Sequence, residues 1–174
     1  LFPKVPAKLE HSVPFLDLQA IESRSTLQMV LSTETKRLVF NAVQGDSIIF
    51  NHVITHIGTS LTNVFPSVPL DKIVHKISVN PTDRLSMMQE RIKTIQKKEL
   101  GPCGGFSVAY RAMCEYHSLP YMDDVAWDVD TIYLSHDTRE LNLGDFDHLD
   151  PRHLIPIVSA IEHNTWFTKL NASN

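Results

Sequence analysis

The run Asp128-Val129-Asp130-Thr131, behind the apolar Val125-Ala126-Trp127, has the residue types for phosphoryl chemistry. In a DxDxT phosphatase one carboxylate attacks phosphorus, the second handles the proton, and magnesium sits between them. Here the threonine stands one place early, and only 43 residues follow it. That remainder holds neither the later Ser/Thr, Lys and Asp motifs nor the parallel sheet such an enzyme needs. Surface carboxylates on an edge strand or turn account for the run better, so no enzymatic activity and no cofactor are expected.

Other groups fit chemistry less well. There are nine histidines. His148, His153 and His163 lack the i, i+4 spacing of a helical zinc site, and His52 and His56 have it without an acidic partner. Solvent-edge packing is the expectation for that pair. Cys103 and Cys114 are eleven apart, which makes neither a CxxC metal motif nor a disulfide framework. A reducing, intracellular setting fits two such thiols. Pro102-Cys103-Gly104-Gly105-Phe106 opens a helix and invites a phosphate. It lacks GK[ST] and GxGxxG, so a tight helix–helix turn is expected. Lys4, Lys8, Arg24, Lys36 and Arg37, gathered on one rim, would meet anionic lipid at about 1 kcal/mol each. Scattered, they would be ordinary solubilising charge. The sequence leaves both open.

Composition bounds these readings. The 174 residues are 43% hydrophobic and 21% charged, an ordinary globular balance that excludes low-complexity disorder and rods. No stretch approaches the ~20 apolar residues of a membrane span. A net charge of −4 disfavours a nucleic-acid binder. That average is uneven: +1 over residues 1–79, +2 over 80–101 and −7 over 102–174.

The elements that must position these groups can be read from periodicity. Over residues 7–43, Leu16, Leu18 and Ala20, then Leu27, Met29 and Leu31, then Leu38, Phe40 and Ala42 alternate with polar residues, predicting an antiparallel meander. Residues 46–65 predict a helix capped by Asp46 or Ser47, with Ile49, Val53, Ile57, Leu61 and Val64 as its apolar stripe. Residues 67–80 read as a connector containing Ile73, Val74 and Ile77. A second helix follows, with Asn80 as cap, Pro81 in first position, and a narrow stripe of Leu85, Met88, Ile92 and Ile95 that suits lying across a surface. A third helix over 105–118 turns Phe106, Ala109, Tyr110, Met113 and Cys114 inward. Val125, Trp127 and Val129 predict a short strand, and Leu141 and Leu143 another. Asp150-Pro151 starts a last helix carrying Leu154, Ile157, Val158 and Ile161, with Pro156 forcing a kink or a later start.

The last forty residues repeat. Thr138-x-x-Leu141-x-Leu143 recurs as Phe167-x-x-Leu170-x-Ala172, 29 residues on, with a helix between. This is the period of a strand–helix leucine-rich repeat. Such a repeat cannot cover its own apolar face, so further repeats are expected after Asn174. The Leu1 start likewise suggests a piece of a longer protein.

Longer runs carry a family resemblance. Leu100-Gly101-Pro102-Cys103-Gly104-Gly105-Phe106, Trp127 to Tyr133 with Asp128 and Asp130, Asp137 to Leu143 with Leu141, Asp145-Phe146, His148-Leu149, and Asn164 with Trp166 to Leu170 resemble the CARMIL family. His56-Ile57-Gly58-Thr59 before Phe65-Pro66 fits too. The resemblance implies an α+β chain. It would comprise the C-terminal part of a pleckstrin-homology-like β-barrel with its terminal helix (1–66), a helical linker (67–124), and the cap and first repeat of a leucine-rich-repeat solenoid (125–174). It implies a cytoplasmic, cytoskeleton-associated regulator at the plasma membrane. The full protein would inhibit actin capping protein through a tail absent here, promote barbed-end uncapping in lamellipodia and cell migration, and form a homodimer. The present segment would supply membrane recruitment and a mount for the repeats. An interaction module without a lipid role is the alternative.

Overall fold

The structure, a computed structural model, describes residues 9–43 and 47–172. Lys4, Lys8 and the proposed cap Asp46 lie outside the described residues.

The predicted meander forms as β1 (Leu18–Ser25), β2 (Gln28–Thr33) and β3 (Arg37–Asn41). Leu31 stands opposite both Ile21 and Leu38, and both pairings are antiparallel. Thr33 builds the second turn without glycine: its Oγ1 accepts from the Lys36 amide at 2.9 Å, and its own amide donates to the Lys36 carbonyl at 2.8 Å. A register irregularity between Leu18 and Ala20 changes the side-chain parity. Leu18 and Ile21, three apart, therefore share one core with Met29.

Helix α1 (Ile48–Val64) crosses that sheet. Its buried row is Phe50, Ile54, Ile57 and Leu61, while Ile49 is 54% exposed. The expected stripe is thus turned by one residue at its N-terminal end, because the bulky Phe50 takes the core position. Ser47 occupies the cap position without a side-chain cap bond.

The connector contributes more than expected. After the single turn α2 (Leu70–Ile73), residues Lys76–Val79 form β4, which lies parallel to β1 with Ile77 opposite Ile21. Among the described residues the sheet order is β3-β2-β1-β4. The next helix also starts later than Asn80-Pro81 suggests. A 3-10 turn (Thr82–Leu85) precedes α3 (Ser86–Gln96), whose buried Met88 seats on α1 at Gly58. A Cβ added at Gly58 would lie 2.8 Å from Met88 Cγ, so a larger residue there would push the Met88 side chain out of its seat.

Arg84, in the 3-10 turn, ties these pieces together from a buried position. It donates to Ser23 Oγ at 3.0 Å and to the carbonyls of Thr26 at 2.5 Å and Ser47 at 3.4 Å, and it lies over the Phe50 ring.

A second core is built mainly from residues 101–172, with Phe65 reaching into it from the end of α1. Helix α4 (Pro102–Tyr116) buries Phe106, Ala109, Tyr110, Met113 and Cys114, as its spacing predicts. The predicted strand at 125–129 is a helix instead. Segment α5 (Asp123–Trp127) runs into a π-helical turn (Asp128–Tyr133), burying Val125, Ala126, Val129 and Tyr133 on one side. Asp123 and Asp124 favour its N-terminus electrostatically. The alternation of Val125, Trp127 and Val129 misleads because Trp127 is 59% exposed and takes no part in the core.

Strand β5 (Glu140–Asn142) then pairs with β6 (Lys169–Asn171), and α6 (Leu154–Ile161) lies between them in the chain. The pairing is parallel, Leu141 opposite Leu170. Leu143 falls in a following 3-10 turn, so the strand is one residue shorter than predicted. Asp150 caps a 3-10 turn through the Arg152 amide at 2.9 Å. Helix α6 starts afterwards, placing Pro156 in the first turn, where its missing N–H has no helical partner to lose.

Candidate functional site

The signature residues converge on one structural feature, a left-handed loop clasped by a distant asparagine. Cys103, Gly104 and Gly105 have φ of 45°, 73° and 79°. Two glycines take this region at little cost, while Cys103 pays for it with strain. Gly101 precedes the loop and accepts the Gly105 amide at 3.1 Å. Pro102 stands between Gly101 and the loop, ahead of the regular part of α4.

Asn164 closes on this loop from sixty-one residues away. Its Nδ2 donates to the Cys103 carbonyl at 2.9 Å, and its Oδ1 accepts from the amides of Trp166 at 2.7 Å and Phe167 at 3.2 Å. Gly104 leaves room for it: an added Cβ would lie 3.0 Å from Trp166 Cβ and 3.2 Å from the Asn164 amide. Trp166 is held in turn by the Arg139 guanidinium, 3.4 Å above its ring, and Arg139 pairs with Asp137 at 2.8 Å. The Arg139 carbonyl receives the Thr168 amide at 2.8 Å, which starts the β5–β6 pairing. The loop, the π-turn and the strand pair therefore form one packed unit, with Leu141 fully buried beneath it and Leu143 packed against its edge.

The two aspartates of the phosphatase-like run lie on the π-turn, not behind a strand. Asp130 accepts from Ser107 Oγ at 2.6 Å, fastening the π-turn to α4. Burial raises the Asp130 pKa, and the Ser107 bond opposes the shift. Burial likewise pushes the Cys103 thiol up to about 11, with nearby Asp130 adding to it. That thiol donates to the Val129 carbonyl at 3.2 Å. A buried, protonated thiol is a packing group and a poor nucleophile. Tyr133, the last residue of the signature run, donates to Asp145 at 2.5 Å and holds the turn after β5. Burial and the Asp145 bond both raise its pKa.

The proposed lipid residues are divided. Arg24 sits at the β1–β2 end of the sheet, while Lys36 and Arg37 sit at the β2–β3 end, and all three are exposed. Glu22 links them electrostatically. Lys76 bonds it at 2.6 Å and is the chief cause of its lowered pKa, with Arg37 and Arg24 contributing further. Lys76 joins this group only through the pairing of β4 with β1, which the sequence pattern does not reveal.

Elsewhere, His56 is exposed with Phe15 edge-on at 5.8 Å, and His52 is exposed. Among the described residues no three His, Cys, Asp or Glu side chains gather as a metal site, and no helix is long and apolar enough to cross a membrane.

Comparison with known proteins agrees with this arrangement. The Carmil pleckstrin homology domain matches residues 1–66. The mouse (Mus musculus) capping protein, Arp2/3 and myosin-I linker protein 3 is 35% identical over 98% of this chain and 12% of its own length. The human (Homo sapiens) protein of that name is 34% identical over 96% of this chain and 12% of its own. The mouse linker protein 2 is 28% identical over 98% of this chain and 13% of its own. The chain thus spans about an eighth of the length of these relatives. With the glycine loop, the π-turn and the Asn164–Trp166 segment all inside the matched span, the chain belongs to the CARMIL family.

Proposed function

We propose that the chain is a non-catalytic scaffold segment of a CARMIL-like regulator of the actin cytoskeleton. Its parts are a pleckstrin-homology-type module over 1–66, a linker over 67–124, and the cap and first repeat of a leucine-rich-repeat array over 125–174. The observation that carries this reading is the parallel pairing of β5 with β6 at a spacing of 29 residues, Leu141 opposite Leu170. That is the strand-to-strand step of a leucine-rich repeat. The Asn164 clasp fixes this first step against α4, so further repeats would stack on a rigid base. In the whole protein the activity would be inhibition of actin capping protein and uncapping of barbed ends in lamellipodia. A tail outside these residues would carry it, in a homodimer.

The same reading gives the sheet a role at the plasma membrane. Lys76 pairs with Glu22, and Arg24 and Arg37, at opposite ends of the sheet, act on that carboxylate from farther off, so basic groups outnumber it on this face. Each such cation near an anionic surface is worth about 1 kcal/mol. The Arg24→Gln/Arg37→Gln double variant should bind phosphatidylserine vesicles roughly thirty-fold more weakly at low salt, measured by co-sedimentation. Absent vesicle binding by the parent chain at low salt would defeat the membrane role.

A groove of about 540 Å³ favours the second reading, a protein-interaction module without a lipid role. Leu70, Ile77, Leu85, Met88 and Ile92 line it, between β4 and α3. Partner binding there would be insensitive to salt, whereas vesicle binding falls steeply with ionic strength.

A further inference from the structure

A polar cleft of about 410 Å³ opens where the two cores meet. One wall carries Gln19 of β1, Lys72 of α2 and His75 just before β4. The other carries His117 at the end of α4, with Ser159, Glu162 and His163 at the end of α6. Two of the imidazoles are held in place. His117 Nε2 is 3.1 Å from Ser159 Oγ, and the His163 ring meets Phe65 edge-on with centroids 4.9 Å apart. Tyr116, also on the lining, donates its hydroxyl to Asp17 at 2.6 Å, which sets a second carboxylate beside the cleft.

The charge balance makes this cleft conditional. With neutral imidazoles, Lys72 and Glu162 cancel. The C-termini of α4 and α6 both end here, each contributing about half a negative charge. No anion would settle there. With His75, His117 and His163 protonated, four cations face the carboxylates of Glu162 and Asp17 and two half-charges, a net of about one positive charge. The donors then surround the space: ammonium, imidazolium N–H, the Gln19 amide and the Ser159 hydroxyl. A phosphate group, with acceptor oxygens on every side, matches them better than a planar carboxylate does.

We propose that this cleft binds a phosphate-bearing ligand when its histidines are protonated, bridging the two halves of the chain. Imidazole is the side chain whose charge changes between acid and neutral solution. The intact chain is titrated with inorganic pyrophosphate while the histidine ring signals are followed by NMR. The expected result is that the signals of His75, His117 and His163 shift together, with affinity on the order of tenfold tighter at pH 6 than at pH 8. The Lys72→Gln/His75→Gln variant should lose on the order of tenfold in affinity at pH 6. Both residues are exposed, so the fold should survive, and an unchanged melting temperature checks this. Unmoved signals at pH 6, equal affinity at both pH values, or an unaffected double variant would overturn the proposal. Inositol trisphosphate and vesicles carrying phosphorylated phosphatidylinositol distinguish the source. Binding of both, lost in the double variant, assigns a lipid headgroup, and binding of pyrophosphate alone assigns a soluble phosphate. These residues are distinct from Arg24 and Arg37, so either proposal can fail without the other.

Discussion

Gly104 and Gly105 make a controlled pair at the residue scale, because their φ angles are nearly equal and their surroundings differ. An alanine at either must adopt the left-handed conformation, at about 1–2 kcal/mol. At Gly105 nothing lies within 4 Å of the added Cβ, so that cost stands alone. At Gly104 the methyl also presses on Trp166 and Asn164, which should raise the loss to about 2–4 kcal/mol. Denaturant unfolding of Gly104→Ala and Gly105→Ala measures both, and equal losses would show that the clasp is loose. Asp130 gives a pH prediction. Its folded-state pKa is raised, so its contribution to stability is fully present below the ordinary carboxylate range and is lost as pH rises through the raised value. Asp130→Asn, which still accepts from Ser107, should therefore melt higher than the parent at pH 7, and the gap should close towards pH 3. A constant gap across that range would assign the effect to something other than ionisation.

At the element scale, Arg84 decides whether the 3-10 turn belongs to the sheet. Arg84→Ala would leave the Ser23 hydroxyl and the Thr26 and Ser47 carbonyls without their buried donor, and should cost about 2–4 kcal/mol in denaturant unfolding. Arg84→Lys should recover only part, because one ammonium cannot reproduce the planar fork. A loss below about 0.5 kcal/mol would mean that water replaces these bonds. The elements that could be read ahead of the structure are those governed by local spacing: the meander, α4 with its inward face, and the short strand at Leu141. The missed ones depend on partners far along the chain. β4 has four residues, and its pairing with β1 joins positions more than fifty apart, which no local pattern records. The α5 segment was misread because three apolar residues alternate by chance. The pair Asp123-Asp124 and the spacing of Val125, Val129 and Tyr133 were the contrary signals. The α1 stripe shifted because Ile49 and Phe50 compete for one core position, and volume settles it.

For the whole molecule, the signature motifs prove to be joints between elements. Gly101, Pro102, Gly104 and Gly105 shape the loop, Asn164 and Trp166 clasp it, Asp130 fastens the π-turn, and Leu141 fills the core below. The resemblance could name these residues from the sequence. Their mutual contacts could not be named, because they join positions up to 61 residues apart. Trp127 and Asp128 make no such joint, and the structure gives no packing reason for the exposed indole. The central claim is that the loop, the clasp and the strand pair are one rigid mount, and native-state hydrogen exchange tests it most directly. The amides of Gly105, Trp166 and Thr168, each with a defined acceptor, should exchange with the same free energy of opening. Gly104→Ala should lower all three by the same amount. Exchange of Trp166 and Thr168 by local opening, with Gly105 still fully protected, would contradict the account, because the β5–β6 pair would then hang from α4 without being fixed to it.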